Sequence, residues 1–391
     1  MPCRWRPTGL TGTSSLRRPI TQSVTDCRLL NRYFQANPAS DAVRKAFEGF
    51  AKSTCNNWDL GNGDAIVATG GPDGGCGLLD TSLVYHPVNN PHGARCTLQD
   101  VNANSFRRDP ATGFAYRPLD NVGIQYGLLA LRQGRISTTQ FLDLNEHIGG
   151  YDIDGNRVPQ RTVADAAVLA RAYELGRIVQ GGGGLATLPI MHARVWAEIG
   201  GDIHTAYNDV QIREKLRKTN GRSDNQVIWV LPHPQLPLFL GGTLADVARL
   251  TALLNSVAAQ QFVLMSAWLD ALAADPAPKS ADKVARLKPA AATDACWDLA
   301  GTRIADVPAL AGGVCNALYA KGISPRMAAG APVTDDVLKC RLKAINDADY
   351  APLVFSAAEK GRLTAIFPTG ACDYGHPGVS QRPLDDTWIR Y

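Results

Sequence analysis

The stretch LPIMHARVWAEIGGDIHTAYND, residues 188–209, places acidic and imidazole side chains directly behind an apolar run. It contains His192 and His204 together with Glu198 and Asp202. A carboxylate beside an imidazole fixes the tautomer of the ring and stabilises its cation, so that the ring can take a proton from a nucleophile. The stretch therefore predicts the acid and base of a hydrolytic triad.

Two buried strands would bring these groups to one edge of a sheet. The apolar segments 185–193 and 225–232 are separated by a helical pattern, which is typical of neighbouring parallel strands. Reactive groups gather beyond the carboxyl ends of such strands. Glu198 or Asp202 follows the first strand as the acid, and His233 follows the second as the base. An acid followed by a histidine is the order found in α/β-hydrolases.

His204 is an alternative base because it stands two residues after Asp202. A shared loop would allow the two side chains to meet. Both residues could instead cap a helix that begins near Thr205, since acidic groups are favourable at helix N-termini. His233 lies between two prolines and could belong to a surface loop. The choice of acid and base therefore stays open at this point.

Metal binding is the competing interpretation of the same residues. His192, His204 and Asp202 are suitable zinc ligands, but no H-E-x-x-H or comparable spacing is present, and His192 fits a core position in its strand. The segment YDIDGNRVPQRT begins like a calcium loop, yet Val163 occupies the position where an EF-hand has its glutamate. We expect a tight turn there, and we expect neither a metal nor a cofactor.

A nucleophile is harder to find than the acid and the base. The sequence contains no G-x-S-x-G motif. The segment GTSSL near the start lacks the second glycine, and Cys76 in DGGCGLL lacks the strand–elbow–helix context that exposes a nucleophile. The nucleophile of the predicted triad is therefore not assigned.

The elements that would position these groups follow from apolar spacing. Helical patterns occur at residues 25–37, 40–55, 121–137, 137–150, 163–179, 205–221 and 243–275. Residues 56–125 are rich in Gly, Pro, Asn and Asp, as in a surface-laid lid. We predict an α/β fold: a partial α/β-hydrolase-like parallel sheet in residues 131–275, an irregular start and disulfide-bearing lid in 1–130, and a linker and Cys-bearing C-terminal extension in 276–391.

Composition excludes several classes of partner. The chain has 391 residues, a net charge of +4 and 45% hydrophobic residues, which suits a buried core. This charge bias is too weak to indicate nucleic acid or an anionic membrane. No uninterrupted apolar run approaches the roughly 20 residues of a membrane helix. We expect no nucleic-acid and no membrane partner, and the oligomeric state stays open.

Nine cysteines indicate an oxidising compartment. No pair has C-x-x-C spacing, which disfavours a zinc ribbon. Pairing neighbours in sequence predicts four disulfides and leaves Cys3 over: Cys27–Cys55, Cys76–Cys96, Cys296–Cys315 and Cys340–Cys372. A secreted or periplasmic protein should begin with a signal peptide, yet the N-terminus lacks the apolar stretch of one. Either the protein is intracellular or Met1 is not the natural start.

Several long stretches resemble a family of bacterial, mostly secreted proteins of unassigned function, related to tannases, feruloyl esterases and 3-hydroxybutyrate-oligomer hydrolases. The resemblance spans residues 20–380 and rests on these segments: VTDCRLLNRYF, NPHGARCTLQD, RRDPATGFAYRPLDNVGIQYGL, IGGYDIDGNRVPQRT, GGGGLATLPI, GDIHTAYND, DACWD, DDVLKC and CDYGHPGV.

The resemblance implies ester hydrolysis by a serine, an acid and a histidine. Glu198 or Asp202 would be the acid and His233 the base, acting on a small-molecule or oligomeric ester. It also implies that full-length members carry a preceding α/β half with the serine elbow, so that this chain would begin after it and be inactive or very weak alone. A non-catalytic secreted module that binds a polymer or carbohydrate is the alternative, and a metal-dependent hydrolase is a third.

Overall fold

The computed structural model describes residues 18–62, 80–95, 100 and 103–384. Its helices are α1 (Arg18–Ala36), α2 (Asp41–Glu48), α3 (Cys55–Asn62), α4 (Ala103–Phe106), α5 (Leu128–Arg132), α6 (Thr138–His147), α7 (Ala166–Glu174), α8 (Tyr207–Asn220), α9 (Leu236–Phe239), α10 (Leu244–Ala274), α11 (Ala281–Arg286), α12 (Val314–Leu318), α13 (Pro325–Ala328) and α14 (Ala357–Ile366). Its strands are β1 (Gly150–Tyr151), β2 (Arg157–Val158), β3 (Ile190–Val195), β4 (Gln226–Leu231), β5 (Ala295–Trp297), β6 (Arg303–Ala305), β7 (Arg341–Lys343) and β8 (Ala371–Asp373).

Helix ends follow the capping residues of the sequence. The Ser40 hydroxyl accepts a hydrogen bond from the Val43 N–H at the start of α2. Ser137 forms a capping box with Gln140 at the start of α6. Gly221 ends α8 in the left-handed conformation. The starts of α2 and α6 and the end of α8 thus confirm the start at residue 40, the start at residue 137 and the end at residue 221 of the predicted helical patterns.

The helix predicted over residues 121–137 is much shorter in the structure. Only α5 is helical there, because Gly123 and Gly127 adopt positive φ angles of 75° and 82°. A Cβ atom at Gly127 would lie 2.5 Å from the Phe47 ring. The glycines therefore turn the chain sharply and allow it to approach α2 closely.

A four-stranded sheet of order β3–β4–β5–β6 carries the candidate site. β3 is parallel to β4, with Ile190 opposite Gln226 and Val195 opposite Leu231. β5 is also parallel to β4, whereas β6 is antiparallel to β5. The small parallel sheet confirms the α/β prediction in its coarse form. β5 and β6 lie beyond the predicted boundary at residue 275 and complete this sheet.

The two faces of the sheet are covered by different helices. Ile228 and Val230 of β4 pack with Ala206 and Val210 on the side of α8. Trp229, on the opposite face of β4, packs with residues of α10. β4 is buried along its whole length, as predicted. β3 is half-exposed instead of buried, because β4 is its only strand partner among the described residues.

A second core lies among the N-terminal helices. It joins apolar residues of α1, α2, α5 and α6, including Phe34, Phe47 and Phe141, to Tyr350 and Phe367 from the C-terminal part of the chain. The C-terminal extension therefore packs against the N-terminal helices as well as supplying strands to the sheet.

Three of the four predicted disulfides are present. They are Cys27–Cys55, Cys296–Cys315 and Cys340–Cys372. The predicted Cys76–Cys96 pair and the leftover Cys3 lie outside the described residues. The segment that begins like a calcium loop forms the turn of the antiparallel hairpin between β1 and β2, as expected.

α10 is the one described helix that is long and apolar enough to cross a membrane, by length and composition alone. It begins with a capping box of Thr243 and Asp246 and packs beside the sheet through Val257 and Trp268. Phe262 on another face of the helix is 73% exposed. The expectation that the chain has no membrane partner stays a prediction.

Candidate functional site

The loop after β3 makes a tight turn that leads into α8. It begins with a 3₁₀ turn, Ala197–Gly200, and continues through Gly201 with a φ angle of 66°. A Cβ atom at Gly201 would lie 2.6 Å from the Asn57 side chain. Glycine therefore suits this position on both counts. The turn delivers Asp202 and the residues after it to the carboxyl end of β3.

Asp202 and His204 meet within this loop. The Asp202 Oδ1 atom accepts a hydrogen bond from the His204 backbone N–H at 2.8 Å and lies 2.5 Å from His204 Nδ1. Both side chains are close to half exposed. When Nδ1 donates to the carboxylate, the neutral ring keeps a lone pair on Nε2. The pair can therefore orient an imidazole for proton transfer.

Glu198 lies beneath the loop and is only 2% exposed. Its Oε1 atom accepts a hydrogen bond from the Ala206 N–H at 2.6 Å, just before α8 begins. Its buried Oε2 atom has no hydrogen-bond partner in the described part of the chain. Burial raises the pKa of Glu198 to about 7, against the opposing effects of the Ala206 hydrogen bond and Arg194. Glu198 thus caps the start of α8 with one oxygen.

His233 follows β4, as the sequence predicted, but it makes a local contact. Its Nδ1 atom accepts a hydrogen bond from the Gln235 backbone N–H at 3.2 Å. The proton of the neutral ring then resides on Nε2. None of the contacts found among the described residues joins His233 to Glu198 or Asp202.

A charged cluster on the α8 side of the sheet escaped the sequence reasoning. The His192 Nδ1 atom lies 2.7 Å from Asp209 Oδ1, and Arg194 contacts Asp209 Oδ2 at 3.0 Å. Burial raises the pKa of Asp209, but Arg194 and His192 outweigh it and the net shift is downward. The alternation of a strand could have indicated this cluster, because His192 and Arg194 are two residues apart and share a strand face. Asp209 follows in the first turn of α8.

Arg194 also holds the backbone of the candidate site. Its guanidinium donates to the carbonyl oxygens of His204 and Thr205 at 2.7 and 2.6 Å. The third contact, to Asp209, fixes the same group against α8. One planar side chain therefore ties the strand, the loop and the helix together.

The ligands of the zinc alternative are divided between two pairs. His192 contacts Asp209, and His204 contacts Asp202. Across the described ranges, no group of three or more His, Cys, Asp or Glu side chains could hold a metal ion. The geometry around the loop is that of imidazole–carboxylate pairs, which suits proton transfer.

Comparison with known proteins identifies one family. The sequence model of a tannase-like family of unknown function matches residues 9–383, which is nearly the whole chain. No curated protein and no solved structure matches the chain.

Proposed function

The chain belongs to a tannase-like family of unknown function, and on that premise we propose that it is an ester hydrolase-like protein with its acid and base in the loop after β3. The observation that carries the proposal is the 2.5 Å contact between Asp202 Oδ1 and His204 Nδ1. Its location beyond the carboxyl end of a parallel strand adds support, because reactive groups gather there in such sheets. The substrate class is a small-molecule or oligomeric ester.

The chemistry follows from the tautomer that Asp202 favours. His204 Nε2 would accept the proton of a hydroxyl group while the oxygen of that hydroxyl attacks the ester carbonyl carbon. Asp202 would stabilise the resulting imidazolium, which returns the proton to the leaving alcohol. The attacking hydroxyl has no residue assigned to it. Glu198 has a supporting part in this proposal, because its Oε1 atom is engaged by the Ala206 N–H.

His204 is preferred to His233 as the base on hydrogen-bond grounds. A triad histidine donates from Nδ1 to its acid and accepts at Nε2. His204 has this arrangement with Asp202, whereas Nδ1 of His233 accepts from the Gln235 N–H. His233 would need to break that contact and turn its ring before it could serve.

We further propose that the protein works in a secreted or periplasmic setting. The three disulfides support this, because such bonds persist in oxidising compartments and are rare in the cytosol. Peptide mapping of protein isolated from its native host without reduction would test it. Recovery of all six of these cysteines as free thiols would contradict the proposal.

The functional test uses activated esters, because an oriented imidazole accelerates their hydrolysis even without an assigned nucleophile. We expect the purified chain to hydrolyse p-nitrophenyl acetate slowly, but faster than free imidazole at the same concentration. In the His204→Ala and Asp202→Asn variants, the rate in excess of free imidazole should each time be lower by a factor of roughly ten or more. The His233→Ala variant should keep it.

Three outcomes of this assay are informative. Equal rates for the wild-type chain and His204→Ala would overturn the proposal. Loss of the rate in His233→Ala alone would move the base to the loop after β4. Asp224→Asn is the matched control, because Asp224 is an exposed partner of Arg222 in the turn before β4; its rate should equal that of the wild-type chain.

A further inference from the structure

Three side chains of β3 and its loop fix the backbone segment 204–206. Arg194 donates to the carbonyls of His204 and Thr205, and Glu198 accepts from the N–H of Ala206. His192 contributes indirectly, because it shares Asp209 with Arg194. Two consecutive peptide groups, 204–205 and 205–206, are thus held from the sheet side, while the His204 ring contacts Asp202.

The carbonyl oxygens of His204 and Thr205 belong to successive peptide groups, and one side chain contacts both. The guanidinium of Arg194 can do so because it is planar and carries donors on two separate nitrogens. The distances of 2.6 and 2.7 Å are at the short end for N–H···O contacts, as expected for a charged donor. A lysine ammonium carries all its donors on one nitrogen, so it would not reproduce the planar contact that Arg194 makes from two nitrogens.

The location of the contact is what links Arg194 to the proposed chemistry. The peptide group of His204 determines where its Cα–Cβ bond points, and Asp202 reaches the ring from only two residues away. Turning the His204 peptide would therefore move Nδ1 away from Asp202 Oδ1. Because the Asp202–His204 pair is close to half exposed, packing alone restrains the ring weakly.

We propose that Arg194 is a positioning residue of the candidate site: it fixes the backbone of His204 so that Asp202 selects the tautomer with the proton on Nδ1. The inference rests on the proposed function for its catalytic meaning, but the positioning itself is a property of the structure. Asp209 completes the device, because its carboxylate holds the guanidinium on the strand side of α8.

The test is the nitrogen NMR spectrum of the histidine side chains in the full chain at mildly alkaline pH. The His204 signals are assigned by their loss in His204→Ala. In the wild-type chain we expect His204 to be protonated on Nδ1. In Arg194→Lys we expect a mixture of the two tautomers, together with a roughly ten- to hundredfold lower kcat on p-nitrophenyl acetate and an unchanged KM.

Arg213→Lys is the matched control. Arg213 is a buried arginine between α8 and the sheet, with a bidentate contact to Asp294. None of its hydrogen bonds within the described ranges reaches residues 202–206. Arg213→Lys should lower the melting temperature while leaving the His204 tautomer as in the wild-type chain, which separates positioning from general stability.

Unchanged His204 signals in Arg194→Lys would overturn the positioning role, whatever the ester assay gives. Altered signals in Arg194→Lys, combined with ester rates that do not depend on His204, would keep the positioning role and reject the proposed function. Should Arg194→Lys fail to fold, Asp209→Asn takes its place, because it removes the charged anchor that holds the Arg194 guanidinium against the His204 and Thr205 carbonyls. A wild-type tautomer in Asp209→Asn would then overturn the inference.

Discussion

Glu198 accepts a hydrogen bond from the Ala206 N–H at 2.6 Å while its second carboxylate oxygen stays buried without a partner among the described residues. Folding therefore removes water from both carboxylate oxygens and replaces it by one hydrogen bond. Burial raises its pKa to about 7, far above the ordinary value of 4.5. Glu198 thus couples the loop of the candidate site to pH in the neutral range.

The first prediction concerns the pH dependence of folding stability. Because the pKa of Glu198 is higher in the folded chain, its contribution is complete below pH 4.5 and is lost as pH rises through about 7. The total change is about 3 kcal/mol. Glu198→Gln keeps an acceptor for the Ala206 N–H and cannot ionise. The free energy of unfolding of this variant should therefore fall less between pH 4.5 and about 7 than that of the wild-type chain. Denaturant titrations at a series of pH values measure the difference.

Two comparisons make this prediction specific. Asp335 is also buried with its pKa raised to about 6, so part of the pH dependence should remain in Glu198→Gln. Glu359→Gln is the control, because hydrogen bonds lower the pKa of Glu359 and its contribution falls outside the window. Parallel stability curves for the wild-type chain and Glu198→Gln would contradict the assignment.

The sequence predicted the frame of the site better than its contacts. β4 was predicted as buried because its run of β-branched and aromatic residues has no polar alternation, and it is buried. β3 has a similar pattern but is half-exposed, because the number of strands beside it is a long-range property that its own residues do not encode. The end of α8 at Gly221 is local and was predicted correctly.

The site residues divide in the same way. The contact of His204 with Asp202 spans two positions, and the sequence allowed it as one of two alternatives. The contact of Arg194 with Asp209 depends on how α8 lies across β3, which periodicity does not specify. His233 was placed after the second strand correctly, but its hydrogen bond with Gln235 depends on the local turn that follows β4.

The second prediction concerns the buried carboxylate of Asp294. It accepts hydrogen bonds from Arg213, from the Ile228 N–H and from the Ala309 N–H, and so joins α8, β4 and the chain after β6. Asp294→Ala leaves a buried guanidinium without its partner, which should cost about 3–5 kcal/mol of unfolding free energy. The double variant Asp294→Ala/Arg213→Met should lose less unfolding free energy than the sum of the losses in Asp294→Ala and in Arg213→Met. Strict additivity would reject the coupling.

The third prediction concerns how α10 contacts the sheet. Trp268 is fully buried, and its Nε1 atom donates to the Val284 carbonyl at 2.9 Å. Trp268→Ala should lower the free energy of unfolding by about 3–5 kcal/mol, because it leaves a large cavity. Phe262→Ala on the exposed side of the same helix is the control and should change it by about 0.5 kcal/mol or less. Equal effects of the two substitutions would mean that α10 does not pack on the sheet as described.

The last prediction concerns the disulfide between Cys296 and Cys315, which links β5 to α12. Both cysteines are fully buried, and the bridge closes a segment with a sequence separation of 19. Replacing both by alanine should cost about 3 kcal/mol, because the unfolded chain regains the entropy that the bridge removes. Denaturation of the double variant and of the wild-type chain, each with and without reductant, measures this. The reductant should destabilise the wild-type chain more than the variant, since the variant retains only the other bridges, and an equal effect on both would show that the Cys296–Cys315 bridge does not contribute.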